Sequence, residues 1–207
     1  MKKVILLLFI IGNLIFANKK EMINFMQNHN RNLKENEASY IYDITMYYSK
    51  KYGVDPALVF SVMKTESHFR HSTISSKGAL GLMQLMPFNI KEFGVDNSIE
   101  GNIKGGIMHL HRDFDKTKDI VKTLVCYNAG CSRLENNVWL RIRETTDYVT
   151  KINKIYPQIK NILLNGKRYI ENENFSSLSE NEEILKSEKV RKRNLKIKRD
   201  NPEKIKN

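Results

Sequence analysis

Residues 64–87 read KTESHFRHSTISSKGALGLMQLMP. An apolar run, Ala57 to Met63, closes on Glu66; small residues crowd 71–86; Pro87 then follows a last apolar segment. That density of small residues excludes a regular element and predicts an ordered loop between two helices. Upstream, Asp55-Pro56 supplies an N-cap and a first-turn proline, which start a helix running through Ala57 to about Glu66. Downstream, Pro87 opens a short helix to Phe93 that Gly94 stops.

On the first of these helices Glu66 lies above Val62 and Met63, and above Val59 one turn further back. A carboxyl held against apolar surface has its charged form disfavoured, so its pKa is expected to rise toward neutrality, as a general acid requires. The alternative is a last-turn Glu pointing into water. Gly78, Ala79 and Gly81 permit close backbone approach, and Gln84 interrupts an apolar stretch between Met83 and Leu85. A buried Gln needs hydrogen-bond partners or a polar ligand. Tyr127-Asn128-Ala129-Gly130 is a second such island, an aromatic and an amide at the end of an apolar helix. Aromatic faces together with amides suit sugars, which carry apolar ring faces and many hydroxyls. The combination predicts a carbohydrate groove.

Working outward, Tyr40, Ile41, Ile44, Tyr47 and Tyr48 recur at helical steps between Ala38 and Lys51, and Gly53 ends that helix. Further helices are expected over Ile99–Phe114, over Asp119–Asn128 with Gly130 as its stop, and over Thr145–Leu164 with Gly166 as its stop. The last carries Tyr148, Val149, Ile152, Ile155 and Tyr156 on one stripe. No alternating strand and no internal repeat occurs, so the fold class is all-α, with the catalytic domain at 38–165. Residues 18–37 are polar and Asn/Lys-rich, and read as a leader segment or a poorly anchored first helix.

The chain ends carry different information. Met1-Lys2-Lys3, the apolar run Val4–Phe16 and Ala17 form the pattern of a signal peptide over 1–17, or of an N-terminal anchor. Either predicts an exported protein, periplasmic or associated with the cell envelope. No Cys follows the apolar run, so no lipid anchor is expected. Residues 166–207 turn from acidic and Asn-rich to Lys/Arg-rich after Lys186 and hold few large apolar residues; they read as a charged, disordered basic tail. Contact of that tail with membrane surface, wall polymer or a secretion-machine protein is the alternative. The net charge of +12 points to anionic partners without choosing among nucleic acid, anionic lipid and wall polymer. Cys126 and Cys131 stand five apart and form a disulfide only if a turn sets them face to face; two free thiols are the other option. No zinc pattern surrounds them, His68, His71, His109 and His111 make no His-Glu-x-x-His motif, and no nucleophile elbow is present. Neither metal nor cofactor is expected.

Four islands, in order, carry a resemblance: Glu66-Ser67-x-Phe69; Ser75 with Gly78-Ala79-x-Gly81-Leu82-Met83-Gln84-Leu85-Met86-Pro87; Tyr127-Asn128-Ala129-Gly130; and Glu144-Thr145-x-x-Tyr148-Val149. Over roughly residues 38–160 the chain resembles the soluble lytic transglycosylase family. The resemblance implies a lysozyme-like helical domain that cleaves the β-1,4 bond between N-acetylmuramic acid and N-acetylglucosamine in peptidoglycan. It implies that Glu66 protonates the leaving oxygen and then, as carboxylate, deprotonates the muramic C6 hydroxyl to close a 1,6-anhydro ring. One carboxyl then serves where the usual hydrolases need two. By the same resemblance Ser75, Gln84, Met86 and Tyr127 line the glycan cleft, with Tyr127 closest to Glu66 and Asn128 supporting the site. Glu144 is the second acid of the motif set, a structural or cleft residue, while Tyr148 and Met83 pack. Cys126, Cys131 and the lack of a proline before Glu144 depart from the family pattern. Glycan strands are the expected partner, and nucleic acid is not. A hydrolytic muramidase, or a low-turnover wall-binding accessory protein of a secretion, conjugation or flagellar machine, are the competing functions.

Overall fold

The structure, a computed structural model, describes residues 18–164. The expected signal peptide or anchor (1–17), Gly166 and the charged tail lie outside the described residues. Helices follow one another as α1 (18–29), α2 (Glu35–Tyr52), α3 (Pro56–Ser67), α4 (Pro87–Phe93), α5 (Ile99–Thr117), α6 (Ile120–Ala129) and α7 (Arg143–Leu164), with a 3₁₀ segment at Cys131–Arg141. Among the described residues there is no strand, only isolated bridges pairing Leu80 with Ile74 and with Leu85. None of the described helices is long and apolar enough to cross a membrane. The all-α expectation holds. Helix limits fall within about three residues of those expected, and most of the extra residues (Glu35, Asp115, Arg143 among them) are polar or charged and carry no periodic signal.

The described chain divides into two compact units: residues 18–116 with 151–164, and residues 117–150. In the first, α3 is buried on nearly every side, through Ala57, Leu58, Val59, Phe60, Ser61, Val62 and Met63. Its one buried mid-helix polar group, the Ser61 hydroxyl, donates to the Ala57 carbonyl 2.6 Å away. Asp55 caps the helix as expected, accepting from the Ala57 amide at 2.9 Å. The same carboxylate also accepts from the Tyr156 hydroxyl and from the Lys160 ammonium, each at 2.6 Å, which fastens α3 to α7.

Residues 18–29 lie within the stretch read as a leader segment or poorly anchored first helix. They form a helix that buries Met22, Ile23, Phe25 and Met26. The Phe25 ring meets Phe69 edge-on at 6.1 Å, and Asn30 Nδ2 donates to the Phe69 carbonyl at 3.0 Å. The apolar residues keep helical spacing, but Lys and Asn at the wet positions between them dilute the signal.

In the second unit Asp119 caps α6 by accepting from the Lys122 amide at 2.9 Å, and Val121, Leu124 and Val125 are buried. The 3₁₀ segment breaks at Glu135–Asn137, where Asn136 and Asn137 take positive φ, and then buries Trp139. Cys126 and Cys131 form a disulfide, so the paired option of the two left open by their spacing is the one adopted.

Candidate active site

Glu66 stands half-buried in the last turn of α3, above fully buried Val59, Val62 and Met63. It is followed by buried Ser67, whose Oγ lies 2.9 Å from the Leu82 carbonyl oxygen and 3.1 Å from that of Met63, sharing one proton between them. The loop is thus hung from the residue next to Glu66. His68 and Phe69 then both take left-handed backbone angles (φ 53° and 60°), an uncommon conformation for residues with a Cβ, and turn the chain sharply out of the helix. Cationic groups gather here. Burial pushes the His68 pKa down, and Lys64, Arg70, His29 and Lys151 add to the effect; burial and Lys151 push Lys64 down as well.

Within the loop, Ser75 closes a small turn: its Oγ accepts from the Ala79 amide at 2.9 Å and from the Lys77 amide at 3.3 Å. Leu80 and Leu85 exchange two backbone hydrogen bonds of 2.9 Å, which close a second turn. Gln84, with φ 48°, spends its amide protons inside the loop, donating to the Thr73 and Gly81 carbonyls at 3.1 and 2.8 Å. No hydrogen bond within the described residues reaches its Oε1, and the side chain is half-exposed. Met86, also half-exposed, is the N-cap residue of α4.

Asn102 of α5 is the supporting residue that sequence reasoning missed. It is 1% exposed; its Oδ1 accepts from the Met83 amide at 2.8 Å and its Nδ2 donates to the Leu80 carbonyl at 2.9 Å. Gly81, at φ +78°, lets the loop reach this clamp, since a Cβ there would lie 2.5 Å from Asn102 Nδ2. Gly106 does the same from the helix side, where a Cβ would meet Met83 at 2.6 Å. Gly78 is different: the space around it is open, and its φ of +83° is what calls for glycine. The signal for Asn102 was available, because an amide on the buried stripe of an amphipathic helix raises the same question as Gln84.

The second unit carries Tyr127 and Asn128, half-buried in the last turn of α6. Gly130 follows with φ 84° and ψ 144°, and its amide closes the helix on the Cys126 carbonyl at 2.8 Å. Glu144 is exposed in the first turn of α7, where a carboxylate complements the helix dipole. Tyr148 and Met83 are buried packing residues. Glu66, Ser75, Gln84 and Met86 therefore belong to one unit and Tyr127, Asn128 and Glu144 to the other. Of the histidines, His109 is buried with its Nε2 3.1 Å from Asp113, and His111 is an exposed partner of Asp115. Among the described residues no three His, Cys, Asp or Glu side chains gather as a metal site requires.

A helical domain with a Glu at the end of its buried helix, braced by a glycine-bearing loop, defines a class that sequence comparison makes specific. The profile of the transglycosylase SLT domain matches residues 43–148, just over half of the chain, and the chain belongs to that family. Its all-α architecture is accordingly the lysozyme-like SLT fold. It is 40% identical over 87 residues to the transglycosylase of Enterobacteria phage PRD1, covering 41% of this chain and 33% of that protein. It is 34% identical over 96 residues to membrane-bound lytic murein transglycosylase E of Buchnera aphidicola, covering 43% of this chain and 45% of the other. Among solved structures, an inactive mutant of the lytic transglycosylase Slt of Pseudomonas aeruginosa is 25% identical with a TM-score of 0.44, covering 58% of this chain and 22% of that one. The chain spans less than half the length of each of these proteins.

Proposed function

We propose that the chain is a peptidoglycan lytic transglycosylase of the cell envelope, cleaving the MurNAc-β-1,4-GlcNAc bond and leaving 1,6-anhydro-MurNAc ends. The observation that carries this reading is Glu66 itself: an acid at the family's motif position, seated on an apolar turn and fixed by Ser67 to the loop holding Ser75, Gln84 and Met86. In the proposed reaction the protonated carboxyl donates its proton to the glycosidic oxygen as the C1–O bond breaks. The carboxylate so formed takes the proton of the muramic C6 hydroxyl, and that oxygen closes onto C1. One proton is given and one recovered, so the acid is regenerated without water.

Gln84 Oε1, with its amide protons already committed to the loop, is an oriented acceptor for an acetamido N–H. Met86 and Tyr127 offer apolar surface to sugar rings, Ser75 and Asn128 support their turns at the glycan, and Glu144 acts at the start of α7. Its similarity to membrane-bound lytic murein transglycosylases supports the proposed envelope localisation and murein substrate. The basic tail is proposed to hold anionic wall polymer.

Intact sacculi incubated with the purified chain, followed by mass spectrometry of the muropeptides, test the reaction. Anhydro ends are expected, and reducing ends would identify a hydrolase instead. Glu66→Gln is expected to lower turnover by at least about a hundredfold, the scale of general acid catalysis, while sacculus binding persists. Turnover unchanged in that variant would leave an accessory wall-binding role.

A further inference from the structure

The disulfide encloses the turn that carries two of the candidate glycan contacts. Between Cys126 and Cys131 lie only Tyr127, Asn128, Ala129 and Gly130. Cys126 is 4% exposed and rooted in the buried face of α6, beside Leu124 and Val125. Cys131 is half-exposed and opens the 3₁₀ segment. Between them Gly130, at φ 84° and ψ 144°, leaves the helix in a conformation reserved to glycine. The backbone holds this reversal with two bonds, Gly130 amide to Cys126 carbonyl at 2.8 Å and Arg133 amide to Gly130 carbonyl at 3.1 Å. A final helical turn followed at once by glycine is a place where helices fray. A covalent link across it removes that freedom.

We propose that the Cys126–Cys131 disulfide is a positioning device for Tyr127 and Asn128, so that the chain binds glycan fully only after oxidation. The proposal rests on the transglycosylase reading for the identity of the ligand. Its consequence is compartmental: in a reducing environment the two thiols leave the turn free to fray, and after export a disulfide oxidant locks it. In the locking step the two thiols lose two protons and two electrons to the oxidant disulfide, which becomes a dithiol. In the reverse step a dithiol's thiolate attacks the half-exposed Cys131 sulfur, Cys126 leaves as thiolate, and the second thiol resolves the mixed disulfide.

The test compares the full chain oxidised, reduced with dithiothreitol, and re-oxidised. Reduction is expected to raise KM for soluble glycan strands about tenfold, as when one or two residues must be re-ordered at each binding event, with kcat changed far less. Re-oxidation restores KM, and Cys126→Ala/Cys131→Ala matches the reduced chain. Amide hydrogen exchange at 127–130 is read alongside and is expected to quicken on reduction, while α3 keeps its protection. Equal KM in both redox states, or equal exchange at 127–130, would overturn the proposal. So would two titratable thiols in chain purified from an oxidising compartment, or a loss of protection throughout the molecule on reduction. If no redox form cleaves glycan, the transglycosylase reading fails instead, and the exchange measurement still decides whether the disulfide orders the turn.

Discussion

Tyr48 and Tyr40 of α2 both donate their hydroxyl protons to Glu100 of α5, at 2.7 and 3.0 Å. The hydrogen bond to Glu100 is the main reason the Tyr48 pKa is pushed up to about 12, with burial second. The same two bonds hold the Glu100 carboxyl below its ordinary range, Tyr48 contributing most. The signs of the two shifts define a window. A raised tyrosine pKa stabilises the fold fully below the unfolded value near 10 and is lost as pH climbs toward the folded value; a depressed carboxyl pKa stabilises above the unfolded value near 4.3 and is lost as pH falls. The cluster therefore contributes in full between about pH 5 and about pH 9 and fades on both sides. Ultraviolet titration of tyrosinate should show Tyr48 ionising last among the pair's neighbours, near 12, with Glu100→Gln returning it toward the ordinary range. A titration curve indifferent to that substitution would show that another group holds the proton.

α3 is defined by its two ends more than by its apolar middle. At the start, one carboxylate does two jobs: Asp55 caps the Ala57 amide and receives Tyr156 and Lys160 of α7. Asp55→Ala removes the cap, worth about 1 kcal/mol, and leaves the Tyr156 hydroxyl and Lys160 without their acceptor, for a total of about 2–3 kcal/mol. Urea denaturation should show the midpoint falling at unchanged slope, whereas Asp55→Asn, which keeps an acceptor oxygen, should recover part of the loss. A midpoint unmoved by Asp55→Ala would mean that water replaces all three donors at no cost. The starts and stops of α3 and α4 were legible in the sequence because Asp55-Pro56, Pro87 and Gly94 act through local backbone chemistry. What escaped depends on partners far along the chain. α1 is recognisable as core only once Phe69 is seen against Phe25, and Asn102 becomes a clamp only when the loop 19 to 22 residues before it folds back. The role of Gln84 was half legible: a polar ligand or internal partners were both foreseen, and the structure supplies the internal partners for its amide protons.

For the whole chain, charge is distributed unevenly. Residues 186–207 hold ten Lys or Arg against three Asp or Glu, a surplus of seven out of the net +12. The proposed substrate, a neutral sugar backbone within an anionic wall, can be engaged by two different forces. Ring stacking and amide hydrogen bonds act at contact range, whereas the proposed attraction between the tail and wall anions is long-range and screened by salt. Between about 0.01 M and about 0.15 M salt the screening length falls from about 30 Å to about 8 Å, so the second force is removed selectively. Binding of the full chain to sacculi should therefore weaken steeply over that range. A chain ending at Leu185 should bind more weakly at low salt and show a much flatter dependence. Its kcat on short soluble glycan strands should match that of the full chain, because the tail holds none of the proposed site residues. Salt dependence preserved in the shortened chain would place the anion-binding surface on the helical domain, where Lys64, Arg70 and Lys151 already surround the end of α3.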